Sequence, residues 1–144
     1  MRSLIIAMAS SAAAVAAPGS LAADVSPGLW EITMETRVAA APGFTPAPYR
    51  LTQCLSAEDA RDPGRVLGQI ANPGASGCAY TGRDYSGNSL SFTLQCSGAF
   101  AIQSRGQVAF TANSMDGSIA ATADVGGASV ETQNKVSARR IGDC

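Results

Sequence analysis

Cys78 and Cys96 lie symmetrically about Gly87, and that spacing constrains the fold more than any other feature of the chain. Cys78-Ala79-Tyr80-Thr81 and Leu90 to Cys96 read as strands, and Asp84-Tyr85-Ser86-Gly87-Asn88 between them is rich in turn formers. A hairpin folded about Gly87 sets Cys78 opposite Cys96. Cross-strand Cα atoms about 4.5–5.5 Å apart are within disulfide reach. The chain has four cysteines, which allow three pairings. With Cys78–Cys96 formed, Cys54 is left for Cys144, the last residue, which would otherwise fray. In the loop-entropy picture, closing the shorter loop contributes roughly 3 kcal/mol and the longer roughly 4.5 kcal/mol. No CxxC pair and no histidine occur, so the spacing does not describe a zinc site.

Disulfides need an oxidising compartment, and the N-terminus reads as the address for one. Arg2 is followed by the uncharged apolar run Leu4 to Ala17, then by Pro18 and Gly19. Ser20-Leu21-Ala22 puts small residues at positions −3 and −1, so cleavage is expected after Ala22, with Ala23 the alternative. The run is short of the roughly 20 apolar residues of a spanning helix. No cysteine lies near the cleavage point to carry a lipid, and no later stretch could span a membrane as a helix. The reading is therefore a signal peptide over 1–22, a single β-rich domain over 23–144, and a periplasmic, monomeric product. The mature 122 residues hold a thin set of large apolar side chains among Ala, Gly, Ser and Thr. A core that thin is marginal at this size, which is where disulfides help.

Strict alternation marks the strands. Trp30, Ile32, Met34, Thr36 and Val38 face one way, and Glu31, Thr33, Glu35 and Arg37 the other. Residues 39–48, with three prolines, read as a loop before a short strand over Tyr49 to Cys54. Ser56 is placed to cap a helix, with Asp59 as its capping-box partner, and Pro63 stops it. Val66, Leu67 and Ile70 suggest a further helical turn on the sheet, and Asn72 to Gly77 a connection. Beyond Cys78, strands follow at short intervals. Leu90, Phe92, Leu94 and Cys96 share a face, then Phe100 and Ile102, then Val108, Phe110 and Ala112. Ser114 to Gly117 reads as a turn, Ile119, Ala121, Ala123 and Val125 as an inward face, Gly126-Gly127 as a hairpin turn, and Val130 to Ala138 as the return. The fold class is mainly β: an antiparallel meander of six to eight strands, forming a curved sheet or partly closed barrel with one short helical segment and two disulfides.

The chemistry for catalysis is missing. Without histidine, Ser-His-Asp and Cys-His mechanisms are excluded. Lys135 is the only lysine, and it falls on an exposed strand position. Glu31 and Glu35 share a strand face roughly 13 Å apart, wider than the roughly 5–9.5 Å of glycosidase pairs. Glu58, Asp59 and Asp62 sit in a first helical turn, where the dipole favours acids. No phosphate-binding glycine loop and no calcium loop occur. The mature charge is close to balanced, 9 basic residues against 11 acidic, and Lys135, Arg139 and Arg140 form only a small basic group. That gives no surface for nucleic acid. The chain is read as no enzyme, with no cofactor and no metal. Trp30 is read as core, and Tyr85, in the hairpin turn, as an outward ligand contact.

The order of several segments carries a resemblance. Gly28-Leu29-Trp30-Glu31-Ile32-Thr33 opens the mature chain, Gln53-Cys54-Leu55-Ser56-Ala57-Glu58-Asp59-Ala60 follows, then come Cys78 and Phe92 to Cys96, and Ile141-Gly142-Asp143-Cys144 closes it. In this order they resemble the domain of unknown function 3617 family of proteobacteria over almost the whole mature chain. The resemblance implies a periplasmic protein and supplies no activity. The functional expectation is a small binding module for an apolar or envelope-derived ligand, because the small inward residues Ala112, Ala121 and Ala123 leave room beside Phe92 and Phe110. The alternative is a protein-interaction or inhibitor-type envelope protein, with the loop from Pro42 to Pro48 inserting into a partner.

Overall fold

The computed structural model describes residues 24–72 and 75–144. The signal segment 1–22 lies outside them, as do Pro73 and Gly74 of the connection before Cys78. Alternating apolar residues produce seven strands: β1 (Gly28–Val38), β2 (Tyr49–Leu55), β3 (Cys78–Ser86), β4 (Ser89–Cys96), β5 (Ile102–Phe110), β6 (Ser114–Val125) and β7 (Ala128–Gly142). They form one antiparallel sheet in the order β2-β1-β7-β6-β5-β4-β3. The edge strands β2 and β3 do not pair with each other, so the sheet stays open and is not a barrel.

Two short helices, α1 (Ala57–Arg61) and α2 (Gly64–Ile70), make up the helical segment, where the cap at Ser56 and the further turn at Val66, Leu67 and Ile70 are predicted. Pro63 separates them, as its ring demands. The capping box at Ser56 is complete: its hydroxyl accepts from the Asp59 amide at 3.1 Å, and the Asp59 carboxylate accepts from the Ser56 amide at 3.3 Å. The Ser56 hydrogen bonds hold the Asp59 carboxyl below its ordinary pKa. The helices cover one face of the sheet. Leu67 and Val66 are buried there with Trp30, Ile32, Leu55, Phe110 and Met115. Each side chain of this size contributes about 1.5–3 kcal/mol on burial. Trp30 is core, as its alternation predicts, and its indole N–H donates to the Ser26 carbonyl at 3.1 Å.

Both disulfides form as the hairpin argument requires: Cys78–Cys96 across β3 and β4, and Cys54–Cys144 between β2 and the chain's last residue. The hairpin has an added detail. From Ser86↔Ser89 to Gly82↔Thr93 the pairing runs in one register, and from Tyr80↔Leu94 to Cys78↔Cys96 it is shifted by one. Thr81 is the extra residue of a bulge. Without that shift Cys78 would face Ser97 and point to the other side of the sheet.

One turn lies elsewhere than expected. Ser114 to Gly117 is not a turn but the start of β6, with Met115 buried opposite Phe110. The chain reverses just before it. The Thr111 hydroxyl accepts from the amides of Asn113 (3.3 Å) and Ser114 (2.9 Å), an alternative partner for backbone donors that ends the ladder. Gly126 and Gly127 do make the β6–β7 turn, both at positive φ, 58° and 81°. β7 runs further than the expected Ala138, because Arg139 and Arg140 still pair with Glu31 and Trp30 of β1.

Candidate functional site

On β1, β2, β5, β6 and β7 the inward-facing residues lose burial toward one end of the sheet, while those of β4 stay buried throughout. On β1, Trp30, Ile32 and Met34 are buried, while Thr36 and Val38 are half-exposed. On β6, Ile119 and Ala121 are buried, Ala123 is half-exposed and Val125 exposed. The alternation is unbroken; the cover is not. The α1–α2 segment crosses from the Leu55 end of β2 to the Cys78 end of β3, and none of the other described residues packs on the strands beyond its edge.

The uncovered part is a groove of about 360 Å³. Its floor is Ala121 and Ala123 of β6 with Ile102 of β5, which stands opposite Ala123. Val130 and Thr132 of β7 and Tyr49 of β2 rise beside it. The two alanines create the depression, since any larger residue would fill it. Ala71 and Asn72, just past α2, close the inner end. No charged side chain lines the groove.

A small polar network fixes that inner end. The Ser104 hydroxyl donates to Asn72 Oδ1 at 3.0 Å, and Asn72 Nδ2 approaches Cys96 Sγ at 3.8 Å. Asn134 accepts from the Thr36 hydroxyl at 2.7 Å and donates to the Ile119 carbonyl at 3.2 Å and to Thr132 Oγ1 at 3.3 Å. Ser104 and Asn134 are buried, and among the described residues no buried side-chain polar atom lacks a partner. The groove therefore has set walls, with its hydrogen-bonding capacity mostly spent internally, and presents mainly apolar surface.

The room expected beside Phe92 and Phe110 is not there. The Phe92 ring lies over Gly106, where an added Cβ would stand 2.5 Å from its Cζ, and meets Tyr80 edge-on at 5.7 Å. Beside Phe110 only about 30 Å³ remains, space for about one water. Ala112 is exposed outside β5 and β6 and lines nothing in the groove. Of the three small residues singled out, Ala121 and Ala123 are in the groove. The groove residues the sequence reading missed are Tyr49, Asn72 and Asn134; Asn134 is a polar residue inside the apolar alternation of β7, a signal that was available, whereas Asn72 lies in the connection after α2.

The other candidates take structural roles. Tyr85 is no outward contact: it is half-buried, accepting from the Gly64 amide at 2.9 Å and donating to Asp62 at 2.7 Å. Tyr80 donates to the Gly64 carbonyl. Together they pin the start of α2 to β3, and burial pushes Tyr80 up to about 12 and Tyr85 further. Asp62 also pairs with Arg83 at 3.1 Å, and Glu58 with Arg65 at 2.7 Å. Glu31 and Glu35 face Arg139 and Lys135 across β1 and β7, a favourable cross-strand arrangement. Among the described residues no cluster of three or more His, Cys, Asp or Glu side chains is placed to hold a metal.

A wider depression of about 640 Å³ lies on the opposite face. It follows from side-chain length: Ala120 and Thr122 are short, while Gln103, Arg105, Glu131 and Gln133 on the flanking strands are long. These side chains are solvated apart from partly covered Ala120, and water competes for every hydrogen bond they could offer. The groove is the better-built site despite its smaller volume.

No curated protein and no solved structure matches the chain. A family model described as "Protein of unknown function (DUF3617)" matches residues 25–144. That span takes in all seven strands, both helices and the four cysteines, and the chain belongs to the DUF3617 family.

Proposed function

We propose that this chain is an exported, periplasmic binding module that holds an apolar or envelope-derived ligand in the groove over Ala121 and Ala123, and that it carries out no catalysis. One observation carries the reading: a groove of about 360 Å³ without a charged residue in its lining. The volume falls in the range of about 300–1,000 Å³ usual for small-molecule sites. The apolar run Leu4 to Ala17 and the small residues Ser20 and Ala22 support export, and the two disulfides suit an oxidising compartment. No helix among the described residues is long and apolar enough to cross a membrane.

Titration with N-phenyl-1-naphthylamine, an uncharged apolar dye that brightens when it leaves water, tests the proposal. Saturable binding is expected, weakened about tenfold or more in Ala121→Leu/Ala123→Phe, whose added side chains occupy the groove floor. Dye binding that the filled variant leaves unchanged would place the ligand elsewhere. A second reading, docking to an envelope protein through the loop from Pro42 to Pro48, draws on the exposure of Phe44 within it.

A further inference from the structure

Five large apolar side chains are exposed among the described residues, and three of them gather at one end of the sheet. Phe44 (60 % exposed) belongs to the β1–β2 connection, Phe100 (52 %) to the β4–β5 connection, and Val125 (46 %) to the β6–β7 turn, while Tyr49 (46 %) starts β2 opposite Met34, set back from that end. The antiparallel order β2-β1-β7-β6-β5-β4 places these three connections side by side. At about 4.8 Å per strand they span roughly 19 Å. The fifth, Ile141, is at the opposite end.

Single exposed apolar residues mean little. Here the charge pattern adds a second, independent observation. Residues 39–48, 97–101 and 126–127 contain no charged side chain. The nearest charges, Arg37, Arg50, Asp124 and Glu131, are on the strands and alternate with the groove-side residues, so their side chains face the other side of the sheet. The opposite end carries Asp24, Asp84, Asp116, Arg140 and Asp143. The uncharged groove runs to the loop end, where Val125 lines it.

We infer that this loop end is a lipid-contacting edge. It seats on a bilayer surface with Phe44, Phe100 and Val125 in the acyl boundary, so that the groove receives its ligand directly from lipid. The inference rests on the groove being an apolar binding site. A protein partner would be met by one continuous patch. Separate apolar tips on uncharged loops suit a fluid apolar phase, where a charge would cost and shape complementarity is not needed. Without a basic cluster at this end, the contact does not depend on anionic lipid.

The test is flotation of the mature, disulfide-bonded protein with vesicles of phosphatidylcholine alone and of phosphatidylcholine mixed with phosphatidylglycerol. The protein is expected to float equally with both, insensitively to salt. Phe44→Ser/Phe100→Ser, on exposed loops that leave the circular dichroism unchanged, is expected to lower the partition about tenfold or more. Ala121→Leu/Ala123→Phe should still float, which separates failure of the edge from failure of the groove. The inference is overturned if the protein ignores vesicles, if the Phe44→Ser/Phe100→Ser variant floats as well as the parent, or if flotation needs the anionic lipid and is lost in salt. It is overturned equally if sedimentation shows these residues joining two copies of the chain while vesicles are ignored.

Discussion

The Tyr85 hydroxyl, at the edge of the sheet, accepts from Gly64 and donates to Asp62, and it holds α2 where it covers half of the inward face. Tyr85→Phe leaves the Gly64 amide and a part-buried carboxylate without that partner, and is expected to cost about 1–3 kcal/mol of stability. The effect on pH dependence has a definite sign. In the unfolded chain a tyrosine ionises near about 10; burial raises Tyr80 to about 12 in the folded protein, and Tyr85 moves the same way. The folded state therefore keeps protons that the unfolded state loses. The stability these groups provide is complete below about pH 10 and declines as pH rises from there through about 12. Melting temperatures recorded from neutral to strongly alkaline pH should fall above about pH 10, and less steeply in Tyr85→Phe. An unchanged slope would mean that this phenol is not held in its protonated form.

The strands were readable because the sheet buries one face, so apolar and polar residues alternate, as from Trp30 to Val38 and from Leu90 to Cys96. What local pattern could not supply was anything set by long-range packing. Ser114 to Gly117 has turn composition, yet Met115 must reach the core opposite Phe110, and the reversal falls at Thr111 instead. The bulge at Thr81 leaves a single mark in composition, the isolated strand glycine Gly82 beside it. The symmetry of Cys78 and Cys96 about Gly87 led to the right pair, although the pair depends on a register shift as well as on the turn. Deletions separate the two contributions. Removing Thr81 regularises the ladder and leaves Cys78 opposite Cys96, so peptide mapping under non-reducing conditions should still recover that disulfide. Removing Ala79 sets Cys78 opposite Gln95 with its side chain on the other face, and the disulfide should be lost or scrambled. Recovery of Cys78–Cys96 from both deletions would show that the bulge does not set the register.

Across the whole molecule, a short helical cover on a seven-stranded sheet divides one face into a sealed core and an open groove. The groove was half legible: Ala121 and Ala123 mark its floor, but which part of the inward face stays bare depends on where α1 and α2 lie, and only the fold decides that. Ala112, small for the same reason in sequence terms, ends up outside the sheet. The disulfides fasten the sheet's margins: Cys78–Cys96 joins β3 to β4, and Cys54–Cys144 ties the end of β7 to β2 across β1. That suits a sheet whose edge strands do not pair with each other. The central claim is that this groove carries an apolar ligand, and native mass spectrometry of the protein purified from cells that make it tests it most directly. The account predicts a mass above that of the doubly disulfide-bonded polypeptide measured after denaturation, with the excess released by organic solvent and absent from Ala121→Leu/Ala123→Phe. A bare polypeptide mass for the parent protein, or the same bound excess in the filled variant, would contradict it.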